Sequence, residues 1–119
     1  CLAKHPFRDS VYNEADFIAS EIDKGNKYFL QRYSKESILQ EVGSMRKDIK
    51  GLYWCGLFAR RNNTKVNAAF CDWFLENVLW TNFDQNNFVK IVYKHNLKIN
   101  TIDWGEFYNN NSYILSKHK

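Results

Sequence analysis

Two short polar segments, residues 4–15 and 82–88, contain the side chains of this sequence that are best suited to chemistry. In the second segment, Asp84 could accept a proton or a hydrogen bond from a hydroxyl group. Its neighbour Gln85 could both donate hydrogen bonds to sugar hydroxyls and accept them. These residue types suit acid–base chemistry or carbohydrate binding, although neither segment alone establishes an activity.

Asp84 also has a structural interpretation, as a helix cap. An aspartate carboxylate can accept hydrogen bonds from the free N–H groups at the start of a helix, and we expect a helix to begin at Gln85. Phe83 and Phe88 would then form a hydrophobic staple around this cap. The two interpretations are compatible, because a cap would hold the carboxylate rigidly.

In the first segment, His5 precedes Pro6, which favours an extended conformation for the residue before it and would fix the direction of the imidazole. A single histidine at such a position can equally be an ordinary loop residue. Arg8 could bind a phosphate or a carboxylate through a forked contact. Alternatively, it could form a surface ion pair with Asp9 or Glu14.

Residues 52–59 form a short, continuous apolar run between the two polar segments. Gly51 precedes this run and Arg60 follows it, which predicts a strand that is covered on both faces. Gly56 lies inside the run and has two interpretations. It either eases packing or lets a ligand approach the backbone closely.

The spacing of apolar residues predicts two helical stretches before this strand. Ser10 is expected to cap the first, which stops at Gly25. The second covers residues 27–42, and a break near Ser34 is left open. Its inward-facing side chains are expected to be Phe29, Tyr33 and Ile38.

After the strand, Thr64 is expected to cap a further helix. The inner face of this helix is predicted from helical spacing to consist of Val66, Ala69, Phe70, Trp73 and Phe74. A helix over residues 85–95 and a strand over 97–103 follow, and residues 109–119 are expected to be a polar tail. This order of elements predicts a helix-rich α/β fold.

Composition limits the class of protein. With 119 residues, of which 45% are hydrophobic and 17% aromatic, the chain fits one soluble globular domain at most. Its formal charge of +4 is scattered rather than gathered in one stripe, so we expect no nucleic-acid partner. No apolar stretch approaches the ~20 residues of a transmembrane segment.

Three residues that often bind metals have simpler interpretations here. Cys55 and Cys71 lie in apolar contexts and are expected to be reduced core residues, which suits a reducing compartment. His95 closes the apolar face of the last helix, where it would interact with the free carbonyl groups, with metal ligation as the alternative. We expect no metal site within the chain.

Four motifs resemble, in their order and spacing, those of a glycosyltransferase-like domain family. That family has bacterial surface-polysaccharide members and plant Golgi members linked to pectin and mucilage. The motifs are His-Pro-Phe-Arg-Asp-Ser-Val-Tyr-Asn-Glu-Ala at 5–15, Gly-Leu-Tyr-Trp-Cys-Gly-Leu-Phe-Ala-Arg at 51–60, Asp-Trp at 72–73 and Phe-Asp-Gln-Asn-Asn-Phe at 83–88. The family pattern has a cysteine in place of Ser10, an arginine in place of Phe83 and a serine in place of Asn87.

The resemblance implies that residues 1–119 are one partial domain, the helix-rich, acceptor-side C-terminal portion of a GT-A-like fold. The implied activity is transfer of a sugar from a nucleotide sugar to a glycan acceptor in surface-polysaccharide synthesis, in the cytoplasm or at the membrane periphery. A divalent cation, Mn²⁺ or Mg²⁺, would take its ligands from an upstream half of the domain, because this sequence contains no Asp-x-Asp. We therefore expect the chain alone to be inactive.

The resemblance also implies roles for individual residues. Asp84 would orient or deprotonate the acceptor hydroxyl, and Gln85 would bind sugar hydroxyls. His5 and Arg8 would line the donor pocket. These four residues would therefore meet at one cleft.

Trp54 and Gly56 would shape a platform for a sugar ring, since aromatic faces stack on the C–H surfaces of pyranoses. The replacement of the family arginine by Phe83 leaves a second hypothesis open. The chain could be a non-catalytic carbohydrate- or protein-binding module derived from the same fold.

Overall fold

Three short strands form a mixed sheet in the computed structural model, which describes residues 1–80, 83–103 and 105–106. The strands are β1 (Leu2–Lys4), β2 (Tyr53–Phe58) and β3 (Thr101–Ile102). β1 lies in the centre, antiparallel to β2 and parallel to β3. The sequence does not reveal β1, because three residues are too few to show an alternating pattern. β3 is shorter than the strand predicted over 97–103.

Five helices accompany the sheet in the described part of the chain. They are α1 (Val11–Asp23), α2 (Lys27–Leu30), α3 (Lys35–Ser44), α4 (Thr64–Leu79) and α5 (Asp84–Lys94). The helix-rich α/β fold is therefore confirmed, whereas its relation to a GT-A fold stays a prediction. None of these helices is long and apolar enough to cross a membrane. The polar tail predicted over 109–119 lies outside the described residues.

The helix ends follow local capping chemistry. The Ser10 hydroxyl accepts a hydrogen bond from the N–H of Asn13, which confirms the predicted start of α1. Gly25, with a φ of +78°, follows the end of this helix, as expected. Ser34 caps α3 through the N–H of Ser37, and so the stretch predicted over 27–42 divides into α2 and α3.

β2 differs from the prediction in its surroundings. The sequence predicts a strand covered on both faces, but β2 is an edge strand, and its residues Gly56 and Phe58 are exposed. The pairing with β1 is irregular, because Leu2 pairs with Phe58 whereas Ala3 pairs with Trp54. Such a bulge bends a strand and weakens its pairing. A continuous apolar run therefore did not distinguish this edge strand from a central one.

α4 differs from the prediction in two details. Its N-cap is Asn63, whose side chain accepts a hydrogen bond from the N–H of Val66, and not Thr64. Phe74, which the sequence places on the inner face, is 66% exposed. Neighbouring residues of an α-helix are about 100° apart around the axis. Trp73 takes the inner position in this helix, and Phe74 lies about 100° further round the axis, outside the packed side.

The buried side chains form three clusters that meet at α1 and α5. The first cluster contains Val11, Met45, Ile49, Leu52 and Val89. The second, between α1 and α3, contains Ala15, Ile18, Ile38, Val42 and Phe83. The third connects the sheet to α5 and contains Leu2, Phe88 and Val92. Because α1 and α5 each contribute to two clusters, their relative position is fixed by packing.

Candidate functional site

The first turns of α1 and α5 lie side by side. Nδ2 of Asn86, a fully buried residue of α5, donates a hydrogen bond to the carbonyl oxygen of Val11 over 3.3 Å. Ser10, directly before α1, forms a bridge with Gly51 before β2. This junction brings together the two polar segments, which are far apart in the sequence.

Arg8 and Glu14 form an ion pair at this junction. Glu14 is only 6% exposed, and its Oε2 accepts a hydrogen bond from Nε of Arg8. The guanidinium carbon of Arg8 also lies 4.1 Å from the centre of the Phe17 ring, which is a cation–π contact. The sequence predicts Asp9 or Glu14 as the partner of Arg8. In the structure the partner is Glu14, and the pair is largely buried. A phosphate that bound Arg8 would have to share the guanidinium group with the Glu14 carboxylate.

His5 is held in place by three hydrogen bonds. The backbone N–H of His5 donates to the carbonyl oxygen of Leu52 at 3.0 Å. The ring atom Nδ1 accepts hydrogen bonds from the backbone N–H groups of Phe7 and Arg8 at 3.3 and 3.1 Å. Because Nδ1 is an acceptor, the neutral ring carries its proton on Nε2, which can donate to a ligand. Burial lowers the pKa of His5 from its ordinary value of 6.5; the negative charge of Glu14 opposes this shift, and Arg8 adds to it.

Asp84 is the first residue of α5 and not its cap. Phe83 occupies the N-cap position without a side-chain cap hydrogen bond, so the predicted Asp84 cap is wrong. Oδ1 of Asp84 instead accepts a hydrogen bond from the N–H of Gln85 at 2.9 Å. The carbonyl oxygen of Asp84 accepts another from Nε1 of Trp73 at 3.0 Å. The side chain is thereby mounted at the start of the helix with its carboxylate at the surface.

The surroundings of Asp84 change its acidity. Although its side chain is exposed, nearby protein atoms exclude part of its water and raise its pKa, while backbone hydrogen bonds oppose this effect. Phe83 and Phe88 pack in different clusters and do not form the predicted staple. Phe83 contacts the ring of Tyr33, with 5.4 Å between the ring centres.

Tyr33 connects the two polar segments. Burial raises the pKa of its phenol above the ordinary value of 10.0, the negative charge of Asp84 raises it further, and Glu14 also contributes. The Tyr33 ring packs against the cluster that contains Ala15 of the first segment and Phe83 of the second. We name this group of five residues the polar arc; it consists of His5, Arg8, Glu14, Tyr33 and Asp84. The sequence indicated only an inward-facing Tyr33, because no spacing rule relates it to either segment.

Two amide oxygens next to the polar arc have no hydrogen-bond partner among the described residues. They are Oε1 of Gln85 and Oδ1 of Asn86, and both are buried. A buried acceptor without a donor costs about 1–3 kcal/mol. A ligand hydroxyl that reached Gln85 would remove this cost. Asn86 is fully enclosed and serves the junction through its bond to Val11.

Trp54 and Gly56 flank Cys55 on β2. The thiol of Cys55 packs against the core, and its pKa is raised by burial and by the charge of Asp84. Because side chains alternate along a strand, Trp54 points to the opposite face of β2 from Cys55. A Cβ at residue 56 would lie 2.3 Å from Cζ2 of Trp54, so the indole ring accounts for the glycine by packing.

The remaining cysteine and histidine predictions have mixed outcomes. Cys71 is exposed on α4, so its prediction as a core residue is wrong. The sequence predicts that His95 ends α5 and interacts with its free carbonyl groups; it lies directly after the helix, and its side chain instead bonds to Asp72, with Nε2 2.7 Å from Oδ2. Across residues 1–80, 83–103 and 105–106, no three histidine, cysteine, aspartate or glutamate side chains are grouped as metal ligands.

Comparison with known proteins gives no relative. No protein-family model, no curated protein and no solved structure matches this chain. The function must therefore be argued from the geometry of the polar arc and from the motif resemblance.

Proposed function

We propose that this chain is the acceptor-side portion of a GT-A-like glycosyltransferase, which transfers a sugar from a nucleotide sugar to a glycan. The observation that carries the proposal is the position of the two polar segments, which lie side by side at the first turns of α1 and α5. They are joined by the hydrogen bond from Asn86 to Val11 and by the packing of Tyr33 on Ala15 and Phe83. A carboxyl group whose pKa is shifted by its surroundings, as that of Asp84 is, is a candidate for a functional site.

Asp84 would act as the general base. The O–H bond of the acceptor sugar breaks, its proton moves to the Asp84 carboxylate, and the oxygen forms a bond to the anomeric carbon of the donor. The bond between that carbon and the nucleoside diphosphate breaks, and its electron pair leaves with the diphosphate. A raised pKa makes Asp84 a better proton acceptor than an ordinary aspartate. Gln85 Oε1, a buried acceptor, would hold a second sugar hydroxyl.

His5 and Arg8 would contact the donor diphosphate. A lowered pKa keeps the imidazole neutral at pH 7, so His5 would serve as an N–H donor through Nε2 and not as a charge. Arg8 would supply the positive charge, and Glu14 fixes its position. In this proposal the donor lies on the His5 side of the polar arc, and the acceptor lies on the Asp84 side.

The residues described here do not form a ligand set for the divalent cation that the resemblance implies. The proposal therefore assigns the cation to an upstream part of a longer polypeptide and derives no step of the mechanism from it. It also predicts that the isolated chain does not turn over a nucleotide sugar.

The test is an assay of the full natural polypeptide that contains this chain. Nucleotide-sugar hydrolysis and transfer to glycan acceptors would be measured for the wild type, for Asp84→Asn and for the control Asp23→Asn. Asp23 is exposed at the end of α1 and forms an ion pair with Lys35. We expect Asp84→Asn to reduce transfer at least about a hundredfold and the control to be unchanged. Equal activity in all three proteins would remove the role given to Asp84.

One observation favours the second hypothesis, a carbohydrate-binding module without catalysis. The family arginine that would precede Asp84 is replaced by Phe83, which is 2% exposed and part of the core. This replacement removes a positive charge from the site, and Glu14 already engages Arg8. Glycan binding without any transfer by the full polypeptide would support this second hypothesis.

A further inference from the structure

α4 carries apolar residues on its solvent-facing side as well as on its inner side, and its charged residues bond to the rest of the protein. The Nζ atom of Lys65 donates to the carbonyl oxygen of Asn96, just beyond α5. Asp72 pairs with Lys94 and His95, and Glu76 pairs with Lys90. All three charged residues of α4 are therefore engaged with α5 or with the residues that follow it. In a usual surface helix the charged residues lie instead on the side that faces solvent.

Over residues 68–79, the exposed residues of α4 are all apolar. We name this group the outer stripe; it consists of Ala68, Cys71, Phe74, Leu75, Val78 and Leu79, all of them exposed. Four of its members, at positions 68, 71, 75 and 78, are three, four and three residues apart. This spacing is the one by which an α-helix packs against a second α-helix.

A shallow hollow lies beside the middle of α4, next to the outer stripe. It has a volume of about 530 Å³ and is lined by Arg60, Asn67 and the stripe residues Cys71, Phe74 and Leu75, among others. In an antiparallel pair of identical helices that cross at their centres, the middle of each helix lies beside the middle of the other. Side chains from the middle of one stripe would therefore lie over the hollow of the second copy.

The exposed area of the outer stripe matches the need of a dimer. Phe74, Val78 and Leu79 are 66%, 63% and 69% exposed, and a phenylalanine side chain can bury about 150–250 Å². The whole stripe therefore offers roughly 400 Å² of apolar surface. A standard interface takes about 800 Å² from each partner, of which somewhat more than half is apolar. The outer stripe alone supplies most of that apolar part.

We infer that the outer stripe of α4 is the interface of a homodimer, in which two copies of α4 pack antiparallel about a twofold axis. A twofold contact requires a surface that is complementary to itself. The outer stripe meets this requirement, because it contains no charged residue that would face its own copy across the axis. The inference is independent of the proposed glycosyltransferase activity.

The test measures the molar mass of the chain by analytical ultracentrifugation from about 1 µM to about 500 µM, a range in which interfaces of this size begin to associate. We expect a monomer–dimer equilibrium in the wild type. Leu75→Lys should weaken dimerisation at least about tenfold, because it places a charge in the stripe. The matched control is Leu39→Lys on α3, since Leu39 is 42% exposed and Leu75 is 49% exposed. The control should dimerise like the wild type.

A second measurement uses the thiol of Cys71, which lies in the outer stripe. In a Cys1→Ser background, alkylation of Cys71 should slow several-fold as the wild-type chain dimerises, and it should stay fast in Leu75→Lys. A wild type that is monomeric at about 500 µM would overturn the inference. So would a dimer that Leu75→Lys leaves intact, or a monomer whose outer stripe binds vesicles of anionic lipid.

Discussion

At the polar arc, a charged side chain is buried in the protein, whereas at the outer stripe apolar side chains are exposed to solvent. Glu14 is almost completely buried, with Arg8 as its partner, and Phe74 is largely exposed on α4. Both arrangements cost free energy in an isolated domain, the first by desolvation and the second by exposure of apolar surface. In the two proposals, each region makes contacts outside the chain, the polar arc with sugars and the outer stripe with a second copy.

The two regions differ in how firmly packing holds them. The polar arc lies over the junction of α1 and α5, where two core clusters and a buried asparagine fix the backbone. The outer stripe belongs to one helix, and its side chains contribute little to the core. Substitutions at the arc should therefore change the stability of the monomer, and substitutions at the stripe should change association.

Two phenylalanines give the sharpest contrast. Phe83→Ala should lower the free energy of unfolding by about 3–5 kcal/mol, because Phe83 is 2% exposed in the core beneath the polar arc. Phe74→Ala should change it by less than about 0.5 kcal/mol in the monomer. Urea unfolding at low protein concentration measures both values. Similar losses in the two variants would contradict the assignment of Phe74 to the surface.

The ion pair of the polar arc gives the next effect. Glu14→Gln keeps the shape of the side chain but leaves Arg8 without its negative partner, which should cost about 3 kcal/mol. The control is Asp23→Asn, which breaks an exposed pair with Lys35 and should cost less than about 1 kcal/mol. Equal losses, measured by urea unfolding, would show that the Glu14 pair is no more buried than a surface pair.

β2 offers a test outside both regions. Gly56→Ala should destabilise the fold by about 1–3 kcal/mol, because the new Cβ would displace the Trp54 indole from its place beside the backbone. A neutral Gly56→Ala variant that lost glycan binding would instead favour the close approach of a ligand. Thermal unfolding, together with a glycan-binding assay, separates the two outcomes.

The smallest expected effect is a dependence of stability on pH through His5. The pKa of His5 is lowered in the folded state, so the unfolded chain binds the proton more tightly. Stability should therefore decrease as the pH falls below about 6.5, the ordinary histidine value. His5→Asn keeps an acceptor for the backbone N–H groups and removes the titration. Between pH 8 and pH 5, the urea midpoint should fall less in this variant than in the wild type. Identical pH profiles would contradict the lowered pKa of His5.

Local signals in the sequence predicted the elements that depend on local chemistry. Ser10 and Gly25 mark the ends of α1 because capping and a positive φ are properties of single residues. The apolar run of β2 predicted a strand. Its edge position was not predictable, because it depends on β1, which is too short to leave a pattern.

The site was predictable only in part for the same reason. Motif order indicated His5, Arg8 and Asp84 as residues of one site, but their geometry depends on contacts between distant elements. Tyr33 became a member of the polar arc only when packing placed its ring against Ala15 and Phe83, one from each segment. The exposure of Phe74 could not be predicted either, because the apolar residues of α4 occupy two faces of the helix.

The most direct test of the central claim is the pKa of the Tyr33 phenol, measured by NMR in the isolated chain. The negative charge of Asp84 raises this pKa, so Asp84→Asn should lower it, and the surface control Asp23→Asn should leave it unchanged. That result would place the second polar segment beside the tyrosine that Glu14 of the first segment also reaches. An unchanged Tyr33 pKa in Asp84→Asn would show that the two segments do not form one site.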